Sequence, residues 1–303
     1  MKKPFYLRER RSKTHISFAI PGLLILFGTV GGALAWNLYY SFTRWSGFGT
    51  PRWVGFHNYY YLFLNEEVRQ TVMHAVFTII PFSIVPTLLG AFIAAILVEY
   101  ISPRFGESLA SSFRSLLYLP QVVPLAMTGA VWSWILNSKG GLVNRFFEDH
   151  HINVRIGWLE NVRATEILFA LILIWLQLGF TLIIFIAGMS RIDTNVLEAA
   201  QLDGASWFQQ FRLITLPLLR PEMTVVVLTT TVSSLKIFAP VYWITKGGPY
   251  GSTQVPSTYV FNQFYGGSQV GRAAAISSVF AILVGCFAAL LMRYQRRNGL
   301  VNV

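Results

Sequence analysis

Long apolar stretches recur along the chain and are separated by shorter polar segments. Five of them lack charged residues and lie between Lys13 and Arg44, Arg69 and Glu99, Arg114 and Lys139, Glu166 and Arg191, and Arg272 and Arg293. A sixth, 223–245, is interrupted only by Lys236. A membrane-spanning helix needs about 20 mostly apolar residues, and in lipid a segment of this kind satisfies its backbone only as a helix. The pattern therefore predicts an all-α membrane protein with six transmembrane helices near 18–43, 71–98, 115–136, 167–189, 222–245 and 272–293.

The composition agrees with a membrane protein. Of the 303 residues, 54% are hydrophobic and 12% are charged, whereas soluble domains carry about 25% charged residues. The net charge of +11 does not indicate a nucleic-acid partner, because the basic residues lie at segment ends and form no single polar face. Cys286 is the only cysteine, which excludes a disulfide or a cysteine-based metal site within the chain.

The distribution of Lys and Arg predicts the orientation of the helices. With six spans, both termini lie on one side of the membrane, and that side carries 14 basic residues against nine on the other. Cytoplasmic segments are enriched in Lys and Arg. We therefore expect a multi-pass membrane protein, surrounded by lipid, with cytoplasmic tails at 1–17 and 294–303.

The segment EAAQLDGASWFQQFRLITLPLLRP, residues 198–221, lies between the fourth and fifth apolar stretches. Asn195 and Glu198 have the spacing of a capping box, which predicts a helix start. Gly204 is suited to the left-handed conformation that ends a helix. Ser206 would begin a second short helix, whose aromatic side chains need burial beside the membrane domain. These features predict a rigid, projecting cytoplasmic element.

This segment closely resembles the EAA loop of ABC importer permeases, and other stretches resemble the sugar-type branch of that family. FAIPGLLILF, NLYYSFTRW and VGFHNYYYLF are similar to its first span and first outer loop. LPQVVPLAMTGAVWSWILNSKGGLVN is similar to its third span, and ITKGGPYGSTQVPSTYVFNQFY to the loop after its fifth. Together these stretches cover most of the chain.

The resemblance implies the fold of a type I ABC importer permease in a prokaryotic inner membrane, with a transmembrane domain at 18–293 and a coupling loop at 190–221. It also implies partners: a second permease subunit in a heterodimer, two copies of an ATPase, and an external binding protein that delivers a di- or oligosaccharide. Rocking of the two subunits would open the pathway to alternate sides. The positions that match the ATPase-coupling motif are Glu198, Ala199, Ala200, Asp203 and Gly204.

Nothing in the sequence indicates an enzyme. The chain has no G-x-x-x-x-G-K-[ST] phosphate loop and no convincing Ser/His/Asp or paired-carboxylate arrangement. The adjacent His150 and His151 lack a nearby third ligand for a metal. We therefore expect no catalytic, cofactor-binding or metal residues in this chain, with ATP and Mg²⁺ bound by the partner ATPase.

The fourth and fifth spans supply the candidate substrate-pathway residues, since these spans line the cavity in the resembling family. A lysine in the middle of a span costs about 2.5–3.5 kcal/mol on insertion scales and usually faces a bundle interior or a water-filled cavity. Lys236 is accordingly expected to face such a cavity, and snorkelling toward the outer surface is the alternative. The candidates are Trp175, Gln177, Gly179, Phe180, Thr181, Ser233, Ser234, Lys236, Phe238 and Tyr242.

Other interpretations are open. Lys236 would also suit an anion, so glycerol 3-phosphate or another polyol phosphate is the alternative substrate. A membrane enzyme is disfavoured because no catalytic constellation is present. An ion channel or a stand-alone carrier would not need an ATPase, and a carrier would be expected to show internal repeats, which the sequence lacks on inspection. Co-purification of an ATPase distinguishes these classes.

Overall fold

The computed structural model describes residues 14–152 and 156–297 and is mostly helical. Most of the two predicted tails lies outside these ranges. Within them, one antiparallel pair of strands forms between β1 (Thr43–Arg44) and β2 (Arg52–Trp53). The helices are α1 (14–41), α2 (His57–Leu64), α3 (Glu66–Phe105), α4 (Glu107–Val122), α5 (Leu125–Ile135), α6 (Leu142–Asp149), α7 (Val162–Met189), α8 (Thr194–Leu202), α9 (Trp207–Leu218), α10 (Arg220–Leu235), α11 (Val241–Thr245), α12 (Pro256–Tyr265) and α13 (Val270–Arg297).

Four helices are long and apolar enough to cross a membrane without interruption: Ile20–Ser41, Glu66–Phe105, Val162–Met189 and Val270–Arg293. They confirm the first, second, fourth and sixth predicted spans. Helices α3 and α7 begin five residues before the predicted starts because polar caps and charged first turns precede the apolar stretches. The side chain of Asn65 accepts a hydrogen bond from Val68 N, and that of Asn161 accepts one from Ala164 N.

The third and fifth predicted spans are broken and do not form single continuous helices. Helices α4 and α5 meet at an angle of 96° beside Pro124, whose ring excludes a regular helix there. The second bent pair is α9 and α10, which meet at 69°. Helix α10 then ends at Leu235, and residues 236–238 are non-helical before the chain turns again in α11. With each bent pair counted as one span, the described residues contain up to six spans.

Helix α7 lies at the centre of the bundle, against α3 and α4. Small residues permit these contacts: a Cβ on Gly90 would lie 2.3 Å from Thr181 Oγ1, and a Cβ on Gly179 would lie 2.8 Å from Leu117 O. The Thr181 hydroxyl also donates to Pro86 O at 2.9 Å. This hydrogen bond satisfies a carbonyl group next to the π-helical turn Ile80–Ile84 of α3.

Helix α1 packs on α13 and is otherwise largely exposed. Asn37 makes the polar contacts between the two helices. Its Nδ2 donates to Ser278 Oγ at 2.8 Å, and its Oδ1 accepts from Ser277 Oγ at 3.1 Å. Hydrogen bonds of this kind fix the rotation of one apolar helix against another, where apolar packing alone is not selective.

Candidate functional site

Helix α8 carries the first three of the predicted coupling residues and has no buried side chain. Its start differs from the prediction. Asp193, not Asn195, caps the helix by accepting from Asn195 N at 3.0 Å, because the helix begins one residue before Asn195. Glu198 and Ala199 are exposed and Ala200 is half-buried, so α8 offers a small-residue surface away from the bundle.

The turn that follows α8 is fixed by hydrogen bonds. Gly204 has a φ of +81°, as predicted, and its N–H donates to Gln201 O at 3.0 Å while Ala205 N donates to Ala200 O at 3.0 Å. These two bonds form a Schellman motif. Ser206 then begins α9 with the predicted role, forming a capping box with Gln209. The direction of α8 relative to α9 is therefore specified by the backbone.

Helix α9 is packed against α3 by aromatic side chains. The rings of Trp207 and Phe211 are stacked with centroids 5.8 Å apart, and both make edge contacts with Phe92 of α3. The Thr215 hydroxyl donates to Glu99 Oε1 of α3 at 2.7 Å. Helix α9 thus forms the base on which α8 is carried.

The two chain segments that lead into and out of α8–α9 are held together at a neck. Arg191, just after α7, forms an ion pair with Glu222 at the start of α10. Gly188 allows this approach, since a Cβ there would lie 2.7 Å from Glu222 Cγ and 2.8 Å from a methyl group of Leu219. Closure of the neck keeps α8 and α9 together as one projecting unit, called here the α8–α9 segment (residues 190–221).

Apolar side chains are exposed on the α8–α9 segment. Leu202, at the tip of α8, is 89% exposed. The others are Val196, Phe208, Leu213 and Leu218. Several exposed apolar residues on one small polar-rimmed element indicate a contact surface for another protein.

The substrate-pathway candidates on α7 lie in different environments. Trp175 is 40% exposed and makes an edge contact with Trp132 of α5, with centroids 5.7 Å apart. Phe180 is half-buried and Gln177 is buried. Gly179 and Thr181 lie in the contacts with α4 and α3 described above, so in this conformation they face neighbouring helices.

The candidates on the fifth span cluster at the break after α10. Lys236 is the first residue beyond the helix and is exposed, as is Ser233 one turn earlier. Ser234 is fully buried, and its hydroxyl has no hydrogen-bond partner within the described residues. Ser257 of α12 donates to Ile237 O and so satisfies one carbonyl of the break.

Lys236 lines a groove of about 540 Å³ between the break, α12 and α13. Ser257, Val260, Ser277 and Phe280 also line this groove, which is mostly apolar. A non-helical backbone at membrane depth occurs where it is buried in protein or lines a water-filled cavity. The break and the exposed ammonium therefore both favour a wet cavity on this side of the chain.

Aromatic rings continue from the break onto α12. Phe238 stacks on Tyr242 with centroids 5.3 Å apart, and Phe261 contacts both rings at 5.3 and 4.9 Å. Tyr265, one turn further along α12, lies 4.7 Å from Phe261 and is largely exposed. The name aromatic row refers below to Phe238, Tyr242, Phe261 and Tyr265.

Comparison with known proteins assigns the chain to a family. The profile of the family described as "Binding-protein-dependent transport system inner membrane component" matches residues 91–297, about two thirds of the chain. The chain belongs to this family. The resemblance to ABC transporter permeases is thereby confirmed, and the family is one of membrane permease subunits that are not themselves enzymes.

Individual relatives agree with this permease assignment. The chain is 32% identical to the probable ABC transporter permease protein YesP of Bacillus subtilis, over 85% of this chain and 82% of that protein. It is 29% identical to the trehalose/maltose transport system permease protein MalF of Thermococcus litoralis, over 80% of each. It is 26% identical to the probable starch degradation products transport system permease protein AmyD of Thermoanaerobacterium thermosulfurigenes, over 88% of this chain and 89% of that protein.

A solved structure supports the fold of this permease. A bacterial ABC transporter involved in the import of the acidic polysaccharide alginate aligns with a TM-score of 0.77, covering 95% of this chain and 96% of that chain at 19% identity. At this identity the likeness concerns the fold alone. A related structure of a bacterial alginate ABC transporter is in complex with an alginate pentasaccharide-bound periplasmic protein.

Sequence reasoning missed two parts of the permease. It read residues 246–271 as a loop, but Phe261 and Tyr265 lie on α12, where their four-residue spacing places both rings on one helical face. It also passed over Glu99, which it used only as the charged end of an apolar stretch. A carboxylate placed directly after the apolar stretch of the second span was the available signal.

Proposed function

We propose that this permease is one of two membrane subunits of an ATP-driven importer and forms half of a translocation pathway for a sugar. The observation that carries the proposal is the α8–α9 segment: a projecting helix with an exposed apolar tip, on a base that is hydrogen-bonded to α3. A flexible loop would absorb the movement of a bound ATPase. A segment with a fixed turn and a closed neck transmits it.

The mechanism follows from rigid-body movement. An ATPase, with ATP and Mg²⁺ bound in its own sites, closes and draws the two coupling helices of the paired permeases together. Each α8 moves its α9, and α9 moves α3 and the bundle packed on it. Rocking of the two subunits then exposes the pathway to one side and then to the other. The docking surface consists of Glu198, Ala199 and Ala200 on α8. It ends at the fixed turn formed by Asp203 and Gly204.

The break after α10 is the proposed substrate-facing region. Discontinuous helices place binding groups near the middle of the membrane in many transporters. Here Lys236 and Ser233 offer hydrogen-bond donors to the hydroxyl groups of a sugar, and the aromatic row offers rings that suit its apolar faces. The names of the MalF and AmyD relatives also favour a di- or oligosaccharide. On this proposal an external binding protein delivers the sugar, and both termini are cytoplasmic.

The test is reconstitution of the permease with its second permease, its ATPase and its binding protein in proteoliposomes. Each candidate sugar and glycerol 3-phosphate would be added in turn. The proposal expects a stable complex with two ATPase copies, and ATP hydrolysis stimulated by sugar-loaded binding protein. A complex stimulated only by glycerol 3-phosphate would overturn the choice of sugar. Transport without any ATPase would overturn the importer.

A further inference from the structure

The contact between Glu99 and α9 brings a carboxylate into the interface beneath the α8–α9 segment. Glu99 Oε1 accepts from the fully buried Thr215 hydroxyl. Its second oxygen, Oε2, is buried without a hydrogen-bond partner among the described residues, and so is the indole nitrogen of Trp207. The indole of Trp207 lies beside the same carboxylate. One acidic group thus accepts a hydrogen bond from Thr215 and faces a second donor group of α9, the unpaired indole N–H of Trp207.

The neighbours of this carboxylate are unusual for an acid. Helices α3 and α9 meet in an apolar cluster that includes Leu97 and Phe211. In the described part of the chain, Glu99 forms no ion pair. A desolvated carboxylate is costly unless it is well hydrogen-bonded. Glu99 is half-buried, and its hydrogen bond to Thr215 is directional, which apolar packing between α3 and α9 is not.

Both sides of the contact lie in π-helical turns. Glu99 is in Ile96–Ile101 of α3, and Thr215 ends Phe211–Thr215 of α9. Such turns are rare and frequently mark functional positions, because they rotate the side chains that follow out of the regular helical register. The two turns bring residues 116 positions apart in the chain within hydrogen-bond distance.

The contact is the polar connection between α9 and a helix that runs the length of the bundle. Helix α3 is 40 residues long, about 60 Å at the helical rise of 1.5 Å per residue. At its far end, the His74 ring contacts Gln254 O in the loop after α11, 3.0 Å from Nδ1. A displacement of α9 that is passed to α3 therefore reaches the opposite end of the bundle.

We propose that Glu99 is a positioning residue that locks α9 to α3, so that force on α8 moves α3 and is not lost by rotation of the α8–α9 segment. This inference rests on the proposed function, since it assigns the coupling movement a specific point of attachment. Glu99 touches neither the substrate nor the ATPase. Its role is to keep Thr215 and Trp207 in register with α3 while the segment is under load.

The test uses Glu99→Gln, Thr215→Val and the double variant in the complete reconstituted complex. Gln keeps the shape of Glu and one acceptor, but its amide replaces the other acceptor by a donor facing Trp207. Val keeps the shape of Thr and removes the hydroxyl donor. The matched control is Glu107→Gln, the same change on an exposed carboxylate of α4 that contacts Ser102 and Arg114 and not α9.

Two quantities are measured: sugar imported per ATP hydrolysed, and the distribution of distances between spin labels at Gln201→Cys on α8 and Arg104→Cys on α3, in a Cys286→Ser background. Both single variants are expected to lower import per ATP at least threefold and to broaden the distance distribution. The double variant is expected to lose no more than the worse single variant, and the control should match the parent.

Unchanged import per ATP together with an unchanged distribution in Thr215→Val would overturn the positioning role, even if Glu99→Gln fails to assemble. Additive losses in the double variant would also overturn it, because they would show that the two side chains act separately. The parent complex distinguishes a failure of the proposed function from a failure of the Glu99 inference. If the unmodified permease neither binds an ATPase nor imports sugar with it, the fault lies with the importer assignment and not with Glu99.

Discussion

Substitutions at Gly204 test the fixed turn, because at this position the effect of backbone conformation can be separated from that of a steric clash. Its φ is +81°, and a Cβ at this position would meet no atom within 4 Å. A substitution therefore creates no clash inside the chain, and its cost is that of placing a side chain on a left-handed backbone. That cost is about 1–2 kcal/mol for a residue with a Cβ and is larger for a β-branched one.

A penalty of about 1–2 kcal/mol corresponds to a factor of roughly 5–30 in a conformational equilibrium. Gly204→Val is therefore expected to populate states in which the two Schellman hydrogen bonds are broken and α8 points away from its docking direction. Gly204→Ala should have an intermediate effect. Gly204→Asn is the matched control, since Asn adopts the left-handed region far more readily than other residues with a side chain.

The assay is ATP hydrolysis stimulated by loaded binding protein, together with import per ATP, in complexes reconstituted at matched permease levels. Activity is expected to decrease in the order Gly, Asn, Ala, Val, with the Val variant still inserted in the membrane. Normal coupling in Gly204→Val would refute the reasoning that the turn transmits force. Equal losses in Asn and Val would indicate contact with the side chain and not backbone conformation.

Three further predictions follow from the fold and the site. In a Cys286→Ser background, Lys139→Cys should react with an impermeant thiol reagent from outside and Gln201→Cys should not; the reverse pattern would invert the topology. Gly179→Ala should cost about 1–3 kcal/mol by overpacking against α4, which thermal unfolding would detect, with substrate affinity unchanged in the folded fraction; an affinity loss without destabilisation would place Gly179 in the pathway. Lys236→Met should lower sugar uptake about tenfold, since a charged hydrogen bond is worth about 1.5–3 kcal/mol; unchanged uptake kinetics would indicate snorkelling.

The apolar pattern located the membrane helices because hydropathy reports directly on the surroundings of a segment. It could not locate their true starts, where the chain is polar. Helix α7 begins at Val162 with Arg163 and Glu166 in its first turns, and both charges read as the end of an apolar stretch. Local capping by Asn161 set this boundary.

The breaks in the third and fifth spans were not predictable from hydropathy, because a bend leaves the composition unchanged. Pro124 and Pro240 lie near these breaks, but a proline is compatible with a continuous bent helix as well as with two helices at 96°. The end of α10 at Leu235 is accompanied by contacts with α12, including the hydrogen bond from Ser257 to Ile237 O. Those residues are 20 positions apart in the chain.

The local structure of the α8–α9 segment could largely be predicted from the sequence because its turn and cap depend on neighbouring residues. Gly204 and Ser206 each set a turn or a cap through bonds to residues at most five positions away. The pathway candidates were harder to place, because a list of polar residues on a span does not say which face each one occupies. Ser234 and Thr181 lie between helices in this conformation, and their part in the pathway stays a prediction.

The central claim is that the α8–α9 segment is the docking site of the ATPase, and cross-linking tests it most directly. A photo-reactive amino acid would replace Leu202, which is 89% exposed at the tip of α8, or Tyr250, which is 96% exposed in the loop at the opposite end of the bundle. After irradiation of the assembled complex, the account predicts a covalent adduct with the ATPase from position 202 and none from position 250. An ATPase adduct from position 250, or none from position 202 in a complex that hydrolyses ATP, would contradict it.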